Sequence, residues 1–166
     1  RLVACTEEYS RINIIAPPYD EVTESYQIKD RSGKVWHIYY RSAIVYDRPN
    51  DTIYCSLSEK DGVLKKPAWL ACVDLRSGSA ELILKTEVDP NLTLFGSSST
   101  DMLVLMGGRN SNEQQHGEAY TLLFDLSRYE TEPDYAGEEL KIEDKDPYSG
   151  YVFGENEVYY AADGYL

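Results

Sequence analysis

Apolar residues along this chain alternate with polar ones or gather in short blocks, and turn-forming residues separate the blocks. No long stretch keeps the three-to-four-residue spacing of an amphipathic helix. The pattern predicts clear strands over 52–57, 68–74, 80–84, 102–106, 120–126 and 157–161. It predicts weaker ones over 2–6, 26–29, 35–40, 43–46, 92–95, 139–142 and 151–153. Many short strands at regular spacing make this an all-β chain.

The spacing carries more than the composition. Arg1-Leu2-Val3-Ala4-Cys5-Thr6 returns 50 residues later as Asp51-Thr52-Ile53-Tyr54-Cys55-Ser56, and again as Asp101-Met102-Leu103-Val104-Leu105-Met106. A fourth copy is Asn156-Glu157-Val158-Tyr159-Tyr160-Ala161. A second marker repeats in phase: Asp30, Asp74 and Asp125 each end a strand, followed by a turn containing serine. An Asp side chain accepts from backbone N–H groups two residues on, and glycine takes positive φ, so each marker predicts a tight hairpin. A period of about 50 residues with four strands per period is the signature of a β-propeller blade. With strands lettered a to d, the chain reads b-c-d, a-b-c-d, a-b-c-d, a-b. Residues 1–166 are therefore expected to form one propeller segment of about three blades plus part of a fourth, cut from a larger ring. A β-sandwich or barrel is the alternative, but neither explains the echo.

Charge narrows the function. Lys and Arg total 16 against 29 Asp and Glu, a formal net charge of −13. Such an excess argues against nucleic-acid binding, which needs a basic face, and against docking on anionic lipid. No apolar run is long enough for a membrane-spanning helix. Aromatic content is skewed to 15 Tyr against 3 Phe and 2 Trp, which suits half-wet strand faces. Cys5 and Cys55 hold the same repeat position, where Leu105 stands in the third copy, so they read as small apolar strand residues rather than a redox pair.

Catalytic chemistry is thin. The two histidines are His37, inside Trp36-His37-Ile38-Tyr39-Tyr40 and read as a packed strand residue, and His116 in a polar loop. There is no Gly-x-Ser-x-Gly elbow, no phosphate loop and no Cys/His cluster with zinc spacing. Residues 130–146 hold eight acids and two lysines, −6 of the net charge, and read as a solvated connection. Asn91-Leu92-Thr93 is a glycosylation sequon. No cofactor and no metal are expected.

Asp51-Thr52-Ile53-Tyr54-Cys55-Ser56 and Asn156-Glu157-Val158-Tyr159-Tyr160, with Asp163-Gly164-Tyr165-Leu166 behind, resemble propellers of the low-density-lipoprotein-receptor type. Bacterial cell-surface propellers of unknown function are among these. The resemblance implies an exported scaffold that binds other molecules through one face, formed by the b–c loops and the links between blades. The b–c loops are expected over 7–25, 58–67 and 107–117, and loops this long often carry function. Tyr9, Arg11, Tyr19, Arg109 and His116 are the candidate ligand-binding residues, since Tyr and Arg combine contact area with directed hydrogen bonds. The expected function is non-catalytic recognition of a protein or glycan at the cell surface. A filter segment of a larger hydrolase, with its catalytic residues elsewhere, is the alternative. Strand edges left open at either end would allow pairing between copies.

Overall fold

Strict alternation in Arg11-Ile12-Asn13-Ile14-Ile15 buries Ile12 and Ile14 and turns Arg11 and Asn13 away, as a pleated strand requires. The computed structural model shows the same alternation over residues 52–55, where Ile53 and Cys55 are buried and Thr52 and Tyr54 half-buried. It describes residues 2–5, 9–38, 44–59, 68–86, 93–97, 102–109, 118–140, 150–153 and 158–161. The first sheet is the meander β1 (Leu2–Cys5), β2 (Arg11–Ile15) and β3 (Glu24–Gln27). The second centres on β6 (Thr52–Ser58), β7 (Ala68–Asp74) and β8 (Ala80–Thr86). Its leading edge is interrupted: β4 (His37–Ile38) pairs with Leu57 and Ser58, and β5 (Val45–Asp47) pairs with residues 52–54 of the same strand. The third is β9 (Thr93–Ser97), β10 (Met102–Arg109), β11 (Glu118–Asp125) and β12 (Glu138–Leu140), in that order. β13 (Gly150–Phe153) and β14 (Val158–Ala161) pair as a fourth, two-stranded sheet.

All these pairings are antiparallel, and none of the sheets closes into a barrel among the described residues. The all-β expectation therefore holds. Three features differ from the sequence reading. Residues 11–15, expected inside a loop, are the middle strand of the first sheet. Residues 35–40, expected as the last strand of that sheet, instead supply β4 to the second one. Asp125 caps a short helix, α1 (Leu126–Thr131), rather than a tight hairpin. Its carboxylate accepts from the N–H groups of Ser127 and Arg128, as an N-cap does.

Among the described residues, two apolar clusters join the first three sheets, one on each face of the second sheet. Ile53, Cys55 and Leu57 of β6, with Ala71 and Val73 of β7, pack against Ile12, Ile14, Ile28, Trp36 and Ile38. From the opposite face Leu70 packs with Leu103, Leu122 and Phe124 of the third sheet, and Tyr54, Ile83 and Leu84 join them. Leu70 and Ala71, both fully buried, are neighbours on one strand and so enter opposite clusters; the irregularity in the β7–β8 register skips Ile83 on β8, and Ile83 and Leu84 both join the second cluster. Cys55 is buried in the first cluster, the place its repeat position predicts. The leading strands of successive sheets also adjoin: β9 contacts both β5 and β13.

Candidate functional site

The Asp markers are the best-defined polar features, and each is a small capping machine. Asp30 Oδ1 accepts from Ser32 N at 2.8 Å, Ser32 Oγ at 2.6 Å and Lys34 N at 3.1 Å. Its Oδ2 accepts from the Trp36 indole N–H at 2.8 Å. Asp74 Oδ1 accepts from Arg76 N at 2.7 Å and Nε at 3.2 Å. Asp125 Oδ1 accepts from Ser127 N at 2.9 Å and Ser127 Oγ at 2.6 Å. Hydrogen bonds of this kind favour the charged carboxylate. Those from Ser32 and Trp36 lower the Asp30 pKa from 3.8 to about 2. The bonds from Arg76 and from Ser127 lower those of Asp74 and Asp125 in the same direction.

Linkage fixes the sign of the consequence. A carboxyl whose folded pKa is depressed adds stability above its unfolded pKa and loses it as pH falls toward the folded value. For Asp30 that window runs from 3.8 down to about 2. The urea midpoint of the wild-type protein is expected to drop between pH 5 and pH 2.5. Asp30→Asn keeps an acceptor oxygen but removes the titration, so its midpoint should drop less over the same interval. Parallel pH profiles for the two proteins would refute this role for Asp30.

The five candidate binding residues do not share one loop. Tyr9 sits in the β1–β2 connection at φ 51°, packs on the first apolar cluster, and its carbonyl accepts from Ile38 N at 2.8 Å. Arg11 opens β2 and so lies on a sheet face rather than in a loop. Tyr19, at φ 73° and 51 % exposed, lies in the β2–β3 connection, at the other end of β2 from Tyr9. Arg109 closes β10 opposite Glu118, in strand pairing rather than loop. His116 lies outside the described residues, as do Lys65, Lys66 and residues 141–146 of the acidic run. His37 is half-buried in β4 and pairs in register with the buried Ser58.

Arg11 belongs to a polar row that the loop reading missed. Register places Asn13 opposite Ser25 and Arg11 opposite Gln27, so all four side chains share the face of the first sheet that points away from Ile12 and Ile14. Arg11 Nε donates to Ser25 Oγ at 3.2 Å, and Ser25 Oγ donates to Asn13 Oδ1 at 2.7 Å. The available signal was the polar–apolar alternation of residues 11–15, which puts Arg11 and Asn13 side by side. Ala4 completes the row on β1, and Leu2 with Ile15 lies next to it.

Among the described residues no group of three or more His, Cys, Asp or Glu side chains could hold a metal ion, and no helix is long and apolar enough to cross a membrane. Comparison with protein-family models, with curated proteins and with solved structures gives no match to this chain.

Proposed function

We propose that this chain is a recognition or scaffold segment of a β-propeller, exported to the cell surface, that binds a protein or glycan and performs no catalysis itself. The adjacency of β5, β9 and β13 carries the reading, because these strands lead successive meanders and propeller blades meet at their leading strands. The burial of the second sheet on both faces supports it, since an interior blade is covered on each side by a neighbour. Export rests on the family resemblance of the repeated Ile-Tyr and Asp-Gly segments.

The test is direct. A ligand captured on a glycan or peptide array should bind Arg11→Ala or Arg109→Ala at least about fivefold more weakly, the loss expected when one charged hydrogen-bonding partner is removed from a binding contact. Circular-dichroism melting of both variants should match the wild type. Unchanged affinity in both would discard the proposed binding residues.

A further inference from the structure

The Asp markers put the first three sheets in one frame. Asp30 follows β3, and Asp74 and Asp125 end β7 and β11. Counting back from each marker makes Lys29, Val73 and Phe124 equivalent, and likewise Gln27, Ala71 and Leu122. The registers agree: Gln27 pairs with Arg11 and Ala71 with Cys55, at the same sequence separation. Strand alternation gives these positions one face in each sheet. In the second and third sheets that face is apolar and covered by the sheet before it. Val73, Ala71 and Cys55 are buried in the first cluster, and Phe124 and Leu122 in the second. In the first sheet the same face carries Lys29, Gln27 and Arg11; Lys29 is exposed and the other two are only half-buried. One pair further along, exposed Ser25 stands opposite Asn13 where Trp69 pairs with Leu57 in the second sheet.

We infer that the first sheet is the capping unit of the stack: the face on which the next two sheets receive a preceding neighbour is finished here for water, so no further sheet, of this polypeptide or of a second copy, packs on it. This goes beyond the recognition reading above and rests on its blades. It makes the segment an arc with one closed end rather than a slice of a ring that closes across this face. The physical ground is desolvation. A sheet laid on this face would take the Lys29 ammonium and the Arg11 guanidinium out of water, which costs far more than apolar contact returns unless each charge finds a partner. The hydrogen bonds of the face run sideways, from Arg11 Nε to Ser25 Oγ and from Ser25 Oγ to Asn13 Oδ1, and point to no neighbour above it. Leu2, 55 % exposed, is the apolar exception, at the corner where it pairs with Ile15. The change is confined to one side: Ile12, Ile14 and Ile28 stay in the cluster shared with the second sheet. Stacked arrays need such a polar outer face on a terminal unit to stay soluble.

The experiment reads solvent contact on the full wild-type chain. The nitrogen-labelled protein is titrated with a soluble gadolinium chelate, and NMR line broadening is followed at the Arg11 Nε–H, the Gln27 side-chain amide and the Trp36 indole N–H. The Arg11 and Gln27 signals should broaden as readily as the backbone N–H of exposed Ser77, at low and high protein concentration alike. The Trp36 signal, from a residue 2 % exposed in the joint with the second sheet, should resist. Arg11 and Gln27 signals as protected as that of Trp36 would overturn the cap while leaving the stacked sheets standing. A Trp36 signal that broadens like that of Arg11 would show the sheets unstacked, and would overturn the blade reading and the cap together. A variant gives a second measurement. Ser25→Trp, Gln27→Ala and Lys29→Val together copy the joint of the second sheet onto this face, and should raise the mass in sedimentation about twofold over wild type as the new apolar patches pair. A folded triple variant with the wild-type mass would overturn polarity as what ends the stack.

Discussion

Gly78→Ala will lower the unfolding free energy by about 2–4 kcal/mol, whereas Gly33→Ala will lower it by about 1 kcal/mol. Both glycines follow an Asp marker, and both have positive φ, +73° and +84°. An alanine at either position meets the same left-handed backbone cost. The surroundings separate them. A Cβ at Gly78 would stand 2.6 Å from the Gln27 carbonyl oxygen and 2.9 Å from Tyr26 Cβ, while a Cβ at Gly33 meets nothing within 4 Å. The close approach at Gly78 has a purpose: Lys29 N donates to Gly78 O at 3.0 Å, and Ala80 N donates to Lys29 O at 2.8 Å. These bonds join the chain leaving the first sheet to the β7–β8 turn of the second. An added methyl must push backbone from backbone and stretch that join. Urea unfolding of the two variants is the measurement, and equal losses would show that φ alone sets the cost.

Phe124→Ala will cost about 3–5 kcal/mol, the range for deleting a fully buried aromatic side chain. Phe124 has no exposed surface and lies between Leu70, Leu103 and Leu122. Its ring meets Tyr129 at 5.7 Å and Tyr135 at 5.2 Å between centroids, both tilted. The Tyr135 hydroxyl in turn accepts from Asp125 N at 3.0 Å, so the ring contacts hold the segment after α1 against the sheet. The loss should therefore exceed a simple cavity and include fraying of β12. Phe124→Leu keeps most of the volume and should recover more than half of the loss in the same urea titration. A loss below about 1 kcal/mol for Phe124→Ala would mean that the second cluster contributes little to the folded state.

Much of the fold was legible from alternation and spacing. Each clear strand prediction overlaps a strand of the structure, and the Asp markers do terminate strands or close turns. The failures have physical causes. Residues 11–15 alternate like a strand but sit between Tyr9 and the Pro17-Pro18 pair, and the turn signals on either side outweighed five residues of pattern. Residues 35–40 follow a tight turn, so they read as the returning strand of the first sheet. The segment does fold back, with Trp36 N donating to Ile28 O at 3.0 Å, but then crosses to β6. That choice depends on tertiary packing of Trp36 and Ile38, which no local pattern encodes. The helical turn at Asp125 arose where the serine was followed by Arg128, Tyr129 and Glu130 rather than by glycine, so the capped chain had no residue suited to positive φ and wound instead. For the candidate site, residue type singled out Arg11 as a ligand-binding loop residue, whereas it opens β2. Its partners Ser25 and Asn13 became visible only through the β2–β3 register.

The second sheet lends its two faces to different neighbours, and this makes the molecule's energetics local. Ile53, Cys55 and Leu57 look one way along β6 while Tyr54 looks the other, so the clusters share strands but no side chain. Cohesion in such an arrangement is a sum of intrinsic sheet terms and nearest-neighbour interfaces, as in a linear chain of coupled units. The second sheet, clamped by both clusters, lets go last, and the first sheet, held by one, opens before it. A protein built on this rule can vary the number of its units without redesigning any interior.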